Sequence, residues 1–269
     1  MGYNVLPEES EPVVTSHING SLEETIARYQ ISELCKDGLF TVMPRNGRTT
    51  AVCLPGREPM YERSSMARRA TRFWTHNVFL GLRVAPTAWS GGLTIEKFIE
   101  VSIKGRANGD FIMHRENGTL ANVNLAKQRG IGKMKATITQ RFTIEGVPVD
   151  VECDCRFIFF VKIEDGEWKT QFVRLFYEKD KVTPVDGKTM PEGVFVKEEL
   201  DKYTEGYKFL AIAQNSLGHP ILDGLPNASN QGWYDMYKAM ADWLQGQDVN
   251  LFWEKSLGML DILRKRVRA

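Results

Sequence analysis

The sequence has no run near the roughly 18 continuous apolar residues that a membrane helix needs. No membrane partner is therefore expected. It also lacks an excess of either charge: Lys plus Arg number 35 and Asp plus Glu 34, a formal net charge of +1. That balance gives no electrostatic footprint for nucleic acid. Cysteine is sparse, at four residues, with no C-x-x-C pair and no matching histidine spacing. No metal site is expected, and the thiols read as buried and free in a reducing compartment. The start, MGYNVLPEESEP, is acidic and has no apolar core of signal-peptide length. Repeats and low-complexity tracts are absent as well. The expectation is a soluble, cytoplasmic protein.

What is present is ordinary globular material: 269 residues, 42% hydrophobic and 26% charged. Residues 1–20 read as an N-terminal arm. Ser21-x-x-Glu24 is a capping box, so a helix is expected from there, with Leu22, Ile26, Tyr29 and Leu34 at near-helical spacing. TRFWTHNVFLGLRV (71–84) leads into a first strand, and Thr94 can cap a second helix that carries Phe98 and Ile99. From Asp110 the period becomes strand-like. DFIMHRENGTLANVNL gives one or two short strands. Met134, Ala136, Ile138 and Phe142 then alternate with Lys135, Thr137, Thr139 and Arg141. Glu145-Gly146 and Asp165-Gly166 suit tight turns between long strands. Helices first and a strand meander afterwards indicate an α+β fold, with helices packed against a bent antiparallel sheet over residues 21–184.

After Pro184 the composition shifts to a Pro/Gly connector and then to helical patterns. Residues 185–269 form a helical extension that is expected to pack on the sheet domain. Trp233, Met236, Tyr237, Met240 and Trp243 are a core stripe at helical spacing. The C-terminal RKRVRA reads as a solvated helix end.

RFWTHNVFLGL, TIEKFIEVSIKG, MHRENGTL, KATITQRF, EGVPVDVECDCRFIFF and DGEWKTQFVRLFYEKDK together resemble the nuclear transport factor 2-like superfamily, in particular its SnoaL-like branch. The resemblance implies a cone in which helices close against a bent sheet around a pocket, and a homodimer formed through the outer sheet face. MHRENG and DGEWK are similar to scytalone dehydratases, which implies general acid–base work for His114. The second histidine of that pattern is replaced here by Thr139 or Gln140. The site expected on this basis has His114, Asp110 and Tyr29 as catalytic residues and Thr139, Cys155, Phe157 and Trp74 as substrate-binding residues. Imidazole suits proton transfer because its ordinary pKa lies near neutrality.

Three functions are compatible with these residues. The first is a lyase or isomerase of dehydratase or cyclase type, without a cofactor, that acts on a polyketide-like or aromatic molecule of secondary metabolism. The second is a non-catalytic small-molecule binder. The third is a dimeric interaction protein. Glu152, Asp154 and Arg156 share a strand face that Arg141 can reach, and they read either as a cross-strand ion-pair ladder or as carboxylates in a dry pocket.

Overall fold

A computed structural model of the chain describes residues 20–42, 74–81, 111–187, 190, 193–216, 221, 225–249 and 251. The expected second helix after Thr94 lies outside the described residues, as do Asp110 and the side chain of Trp74.

The capping box forms as the sequence indicates. The amide of Ser21 donates to Glu24 Oε2 at 2.8 Å, and the amide of Glu24 donates to Ser21 Oγ at 3.1 Å. Helix α1 (Leu22–Val42) follows. Five strands make one sheet among the described residues: β1 (Trp74–Gly81), β2 (Phe111–Asn124), β3 (Arg129–Ile144), β4 (Val147–Glu164) and β5 (Glu167–Pro184). Their order is β1-β5-β4-β3-β2, with β1 parallel to β5 and the remaining pairs antiparallel. Among the described residues three short α-helices follow: α2 (Lys197–Leu200), α3 (Lys208–Ser216) and α4 (Gln231–Leu244). The class is α+β, as expected.

Both tight turns place their residues at positive φ: Glu145 at 48° and Gly146 at 77°, Asp165 at 54° and Gly166 at 78°. That is the geometry a two-residue hairpin needs to match the strand twist. The ladders shift register at Glu116/Gly118, Asp154/Cys155 and Phe160/Val161. Such bulges bend a strand and raise its twist.

Side-chain alternation separates two faces, each with its own core. The inner face carries Met134, Ala136, Cys153, Cys155, Phe157, Phe159 and Tyr177 under α1 and α3. The outer face carries Ile131, Ile158, Phe160 and Phe176 under α4. Burying each large apolar side chain is worth about 1.5–3 kcal/mol relative to exposure, which is why strands β4 and β5 are apolar on both sides where helices cover both.

Helix α1 buries a face that shares only Leu34 with the stripe expected from its sequence. Ala27, Ile31, Leu34 and Cys35 are buried, whereas Leu22, Ile26 and Tyr29 are exposed. The reason lies across from it on β3. Gly130 and Gly132 leave a backbone saddle: a Cβ at Gly130 would stand 2.5 Å from Ile31 Cδ1, and one at Gly132 would stand 2.2 Å from Cys35 Sγ. The helix face that fits that saddle goes down, and Tyr29 goes up.

Helix α4 sits on the outer face. The Trp243 indole N–H donates to the carbonyls of Gly130 at 3.1 Å and Val161 at 3.0 Å. The Arg129 guanidinium lies 3.9 Å from the center of the same indole ring.

Candidate active site

The inner face is organised in cross-strand rows. One row runs His114 (β2), Ile138 (β3), Cys153 (β4) and Asp180 (β5); the next runs Glu116, Ala136, Cys155 and Tyr177. His114 is half-buried and leans toward β4, its ring edge-on to Phe157 with centroids 5.7 Å apart. Cys155 and Phe157 are consecutive inward residues of β4, so three of the expected site residues share the inner face, His114 in contact with Phe157.

Two do not join them. Thr139 is on the outer face, where it accepts a hydrogen bond from Arg115 at 3.3 Å and donates to Glu152 at 3.4 Å. The physical reason is the period of two: Ile138 and Gln140 point inward, so Thr139 points out. Tyr29 is 67% exposed on the far side of α1, for the packing reason given above. Asp110 and the Trp74 side chain lie outside the described residues.

The cysteines are structural donors. Cys155 Sγ donates to the Ala136 carbonyl at 3.4 Å and Cys153 Sγ to the Gly206 carbonyl at 3.3 Å. Burial pushes both thiols up, away from thiolate character.

Two inward polar residues escaped the sequence reading. Asp180, in the charged stretch that ends β5, is half-buried and accepts the backbone N–H of Leu210 at 2.9 Å, capping α3. Burial raises its pKa to about 6, against the opposing pull of the helix amides. The cause of the misreading is the bulge: Glu178 is an extra residue on β5, so Asp180 rather than Lys179 turns inward. Tyr177 is fully buried beside Tyr207, with ring centroids 5.3 Å apart. Its inward place follows from the alternation Val173, Leu175, Tyr177, a signal that was present in the sequence. A third polar contact closes the inner face, where Gln214 of α3 donates to Gln140 of β3 at 2.6 Å.

The outer face answers the question left open about its charges. Glu152 pairs with Arg115 and, at 2.8 Å, with Lys181; Arg156 pairs with Glu178, and Lys179 lies 3.3 Å from Asp154. Hydrogen bonding from Lys181, then from Arg115, holds the Glu152 carboxyl below its ordinary range. This is a cross-strand ladder, with carboxylates paired rather than stranded. Among the described residues no group of three or more His, Cys, Asp or Glu side chains is placed to hold a metal ion, and no helix is long and apolar enough to cross a membrane.

No family model matches the chain. Curated relatives do. An uncharacterized protein of Emericella nidulans is 39% identical over 184 residues, covering 62% of this chain and 75% of the relative. Pea pathogenicity protein 2 of Fusarium vanettenii is 35% identical over 173 residues, covering 61% of this chain and 73% of the relative, and a PEP2-like protein of the same organism is 37% identical over 175 residues, covering 61% and 73%. The chain belongs to the family of pea pathogenicity protein 2 and the PEP2-like proteins.

Among solved structures, a type 2 hexachlorocyclohexane dehydrochlorinase is similar at a TM-score of 0.40 and 15% identity, covering 65% of this chain and 100% of that one. A provisionally named scytalone dehydratase from Novosphingobium aromaticivorans is similar at a TM-score of 0.37 and 14% identity, covering 63% and 95%. At these scores neither bears on activity.

Proposed function

We propose that the chain is a cofactor-independent lyase or isomerase of dehydratase or cyclase type. It acts in the cytoplasm, as a homodimer, on a polyketide-like or aromatic small molecule. The observation that supports this most is His114, an imidazole on the inner sheet face in edge contact with Phe157, on the same face as Cys155. In a dehydration, His114 takes a proton from the carbon next to a carbonyl. The electron pair forms the new double bond, the C–O bond to the neighbouring hydroxyl breaks, and the proton leaves with that hydroxyl as water. Phe157 supplies the apolar wall that an aromatic ring needs. Asp110 and Trp74 are proposed as additional polar and aromatic contacts; Tyr29 and Thr139 are not, because they point elsewhere.

The test is a panel of β-hydroxy ketones on one- and two-ring aromatic frames, with loss of water followed by mass spectrometry. Conversion by the wild-type chain that falls about 10²–10⁴-fold in His114→Gln, at unchanged melting temperature, supports the reading. Binding of these compounds without conversion points to the non-catalytic binder. Neither binding nor conversion sinks both. The dimer is tested by light scattering at micromolar concentration, where a monomer counts against it.

A further inference from the structure

Along most of the outer sheet face, cations stand against carboxylates. Arg115 and Lys181 meet Glu152, Lys179 meets Asp154, and Arg141 meets Asp150. Lys133 and Lys135 of β3 break the pattern, since neither meets a carboxylate among the described residues. Lys135 stands directly opposite Arg156 of β4, and Lys133, opposite Ile158, is diagonal to that arginine. Such neighbours are about 5 Å and about 7 Å apart, and like charges directly opposite destabilise a sheet. Lys133 is also half-buried, next to the apolar outer strip that contains Ile131 and Ile158. Burial, and after it the Arg156 charge, push its ammonium below the ordinary pKa. A cation so placed calls for a counterion.

The nearby carboxylates are engaged elsewhere. Glu178 pairs with Arg156, whose guanidinium also donates to the Tyr237 hydroxyl at 3.3 Å and lies 5.1 Å from the center of the Trp233 ring. Asp154, one row on, accepts from the Thr137 hydroxyl at 2.7 Å and lies 3.3 Å from Lys179. Two ammonium groups therefore remain uncompensated, two residues apart on one strand face. The surface beside them is open. Lys135 is exposed, and across from it on β2 stands Gly118, where a Cβ would meet nothing within 4 Å. Leu120, across from Lys133, is 47% exposed. Helix α4 closes the other side, where Tyr237 and Trp233 hold the arginine.

We propose that Lys133 and Lys135 bind a phosphate group, free or carried as a monoester, on the outer sheet face between β2 and α4. A phosphate carries close to two negative charges near neutral pH, which matches the two uncompensated ammonium groups. Each ammonium has three donors for the phosphate oxygens, and such charge-assisted bonds are the strong ones. Residues two apart on a strand face are about 7 Å apart, so both long side chains reach one ion. Arg156 adds positive charge from behind without leaving Glu178. The site lies on the sheet face opposite His114 and does not rest on the acid–base reading.

The test titrates inorganic phosphate and phenyl phosphate into the full chain by calorimetry, in chloride buffer at constant ionic strength. Saturable binding is expected. Lys133→Met and Lys135→Met keep an apolar stem and should each weaken it about ten-fold, the scale of one lost hydrogen bond to a charged group. Lys197→Met, on α2 and outside the cluster, should change nothing. Without phosphate, Lys133→Met should melt no lower than the wild-type chain, because an uncompensated half-buried charge has been removed. Tighter binding of phenyl phosphate identifies a monoester whose organic part lies over Leu120, and equal or weaker binding of it identifies the free ion; either supports the site. No saturable binding of either probe, unchanged affinity in both cluster variants, or an equal loss in Lys197→Met overturns the proposal. So does a fall of several degrees in the melting temperature of Lys133→Met without phosphate, which would mean that the ammonium is already satisfied inside the fold.

Discussion

The carboxylate of Asp180 caps the helix that begins at Lys208, taking the Leu210 amide hydrogen at 2.9 Å from a strand 30 residues earlier in the chain. Partial burial of the cap pushes its acid up from the ordinary 3.8 to about 6.

A pH dependence follows. Between the ordinary value of 3.8 and about 6, the folded chain holds a proton on Asp180 that the unfolded chain has released. Folding is therefore favoured by acid in this window, and stability from this group falls as pH rises through 6. Denaturant titrations at pH 4.5 and pH 7 should show a loss of about 2 kcal/mol in the wild-type chain. Asp180→Asn keeps an acceptor for the amide and should remove that part of the slope. An unchanged slope in the variant would reject the assignment.

Trp243 fixes α4 to the outer face through two carbonyls and packs edge-on to Phe160 and Phe172, each at 5.9 Å. Trp243→Ala should cost about 3–5 kcal/mol, as large aromatic truncations in a core do. Trp243→Phe keeps most of the packing and loses the indole donor, for a cost of about 1–2 kcal/mol. Urea unfolding measures both; a Trp243→Phe variant as stable as the wild-type chain would mean that the hydrogen bonds contribute nothing.

Gly132→Ala puts a methyl group 2.2 Å from Cys35 Sγ. A loss of about 1–3 kcal/mol is expected from overpacking. Pairing it with Cys35→Ala should return part of that loss, and a double-mutant cycle reads the coupling. Simple additivity would show that α1 does not rest on this saddle.

Glu152→Gln tests the outer ladder. Glu152 meets Arg115 and Lys181 at a partly exposed surface, so the change should cost under about 1 kcal/mol and shrink further in 1 M salt. A larger cost that is insensitive to salt would mean that the carboxylate is doing more than pairing.

Much of the architecture was legible in the sequence, because alternation and turn chemistry are local. The capping box at Ser21, the turns at Asp165-Gly166 and Glu145-Gly146, and the inward set on β4 all follow from spacing alone. The buried face of α1 was not legible, because it is chosen by two glycines on a strand far along the chain. Asp180 was missed for a related reason: one extra residue at Glu178 inverts the parity of everything after it, and no residue type marks that bulge. Of the expected site residues, His114, Cys155 and Phe157 share the inner face, as strand parity allows. Thr139 was selected against its own parity, and Tyr29 from a stripe of which the fold buries only Leu34.

The saddle at Gly130 and Gly132 also bears on how the chain assembles. On one side it receives Ile31 and Cys35; on the other, the Gly130 carbonyl receives the indole of Trp243, 113 positions later. The first helix made has no lasting seat until β3 is formed, and β3 is not finished on its outer side until the last described helix arrives. Contacts of such long separation slow the search for the native state. A nascent chain stopped before α4 would display the apolar outer strip of β4 and β5 to the solvent, where it invites aggregation or a chaperone.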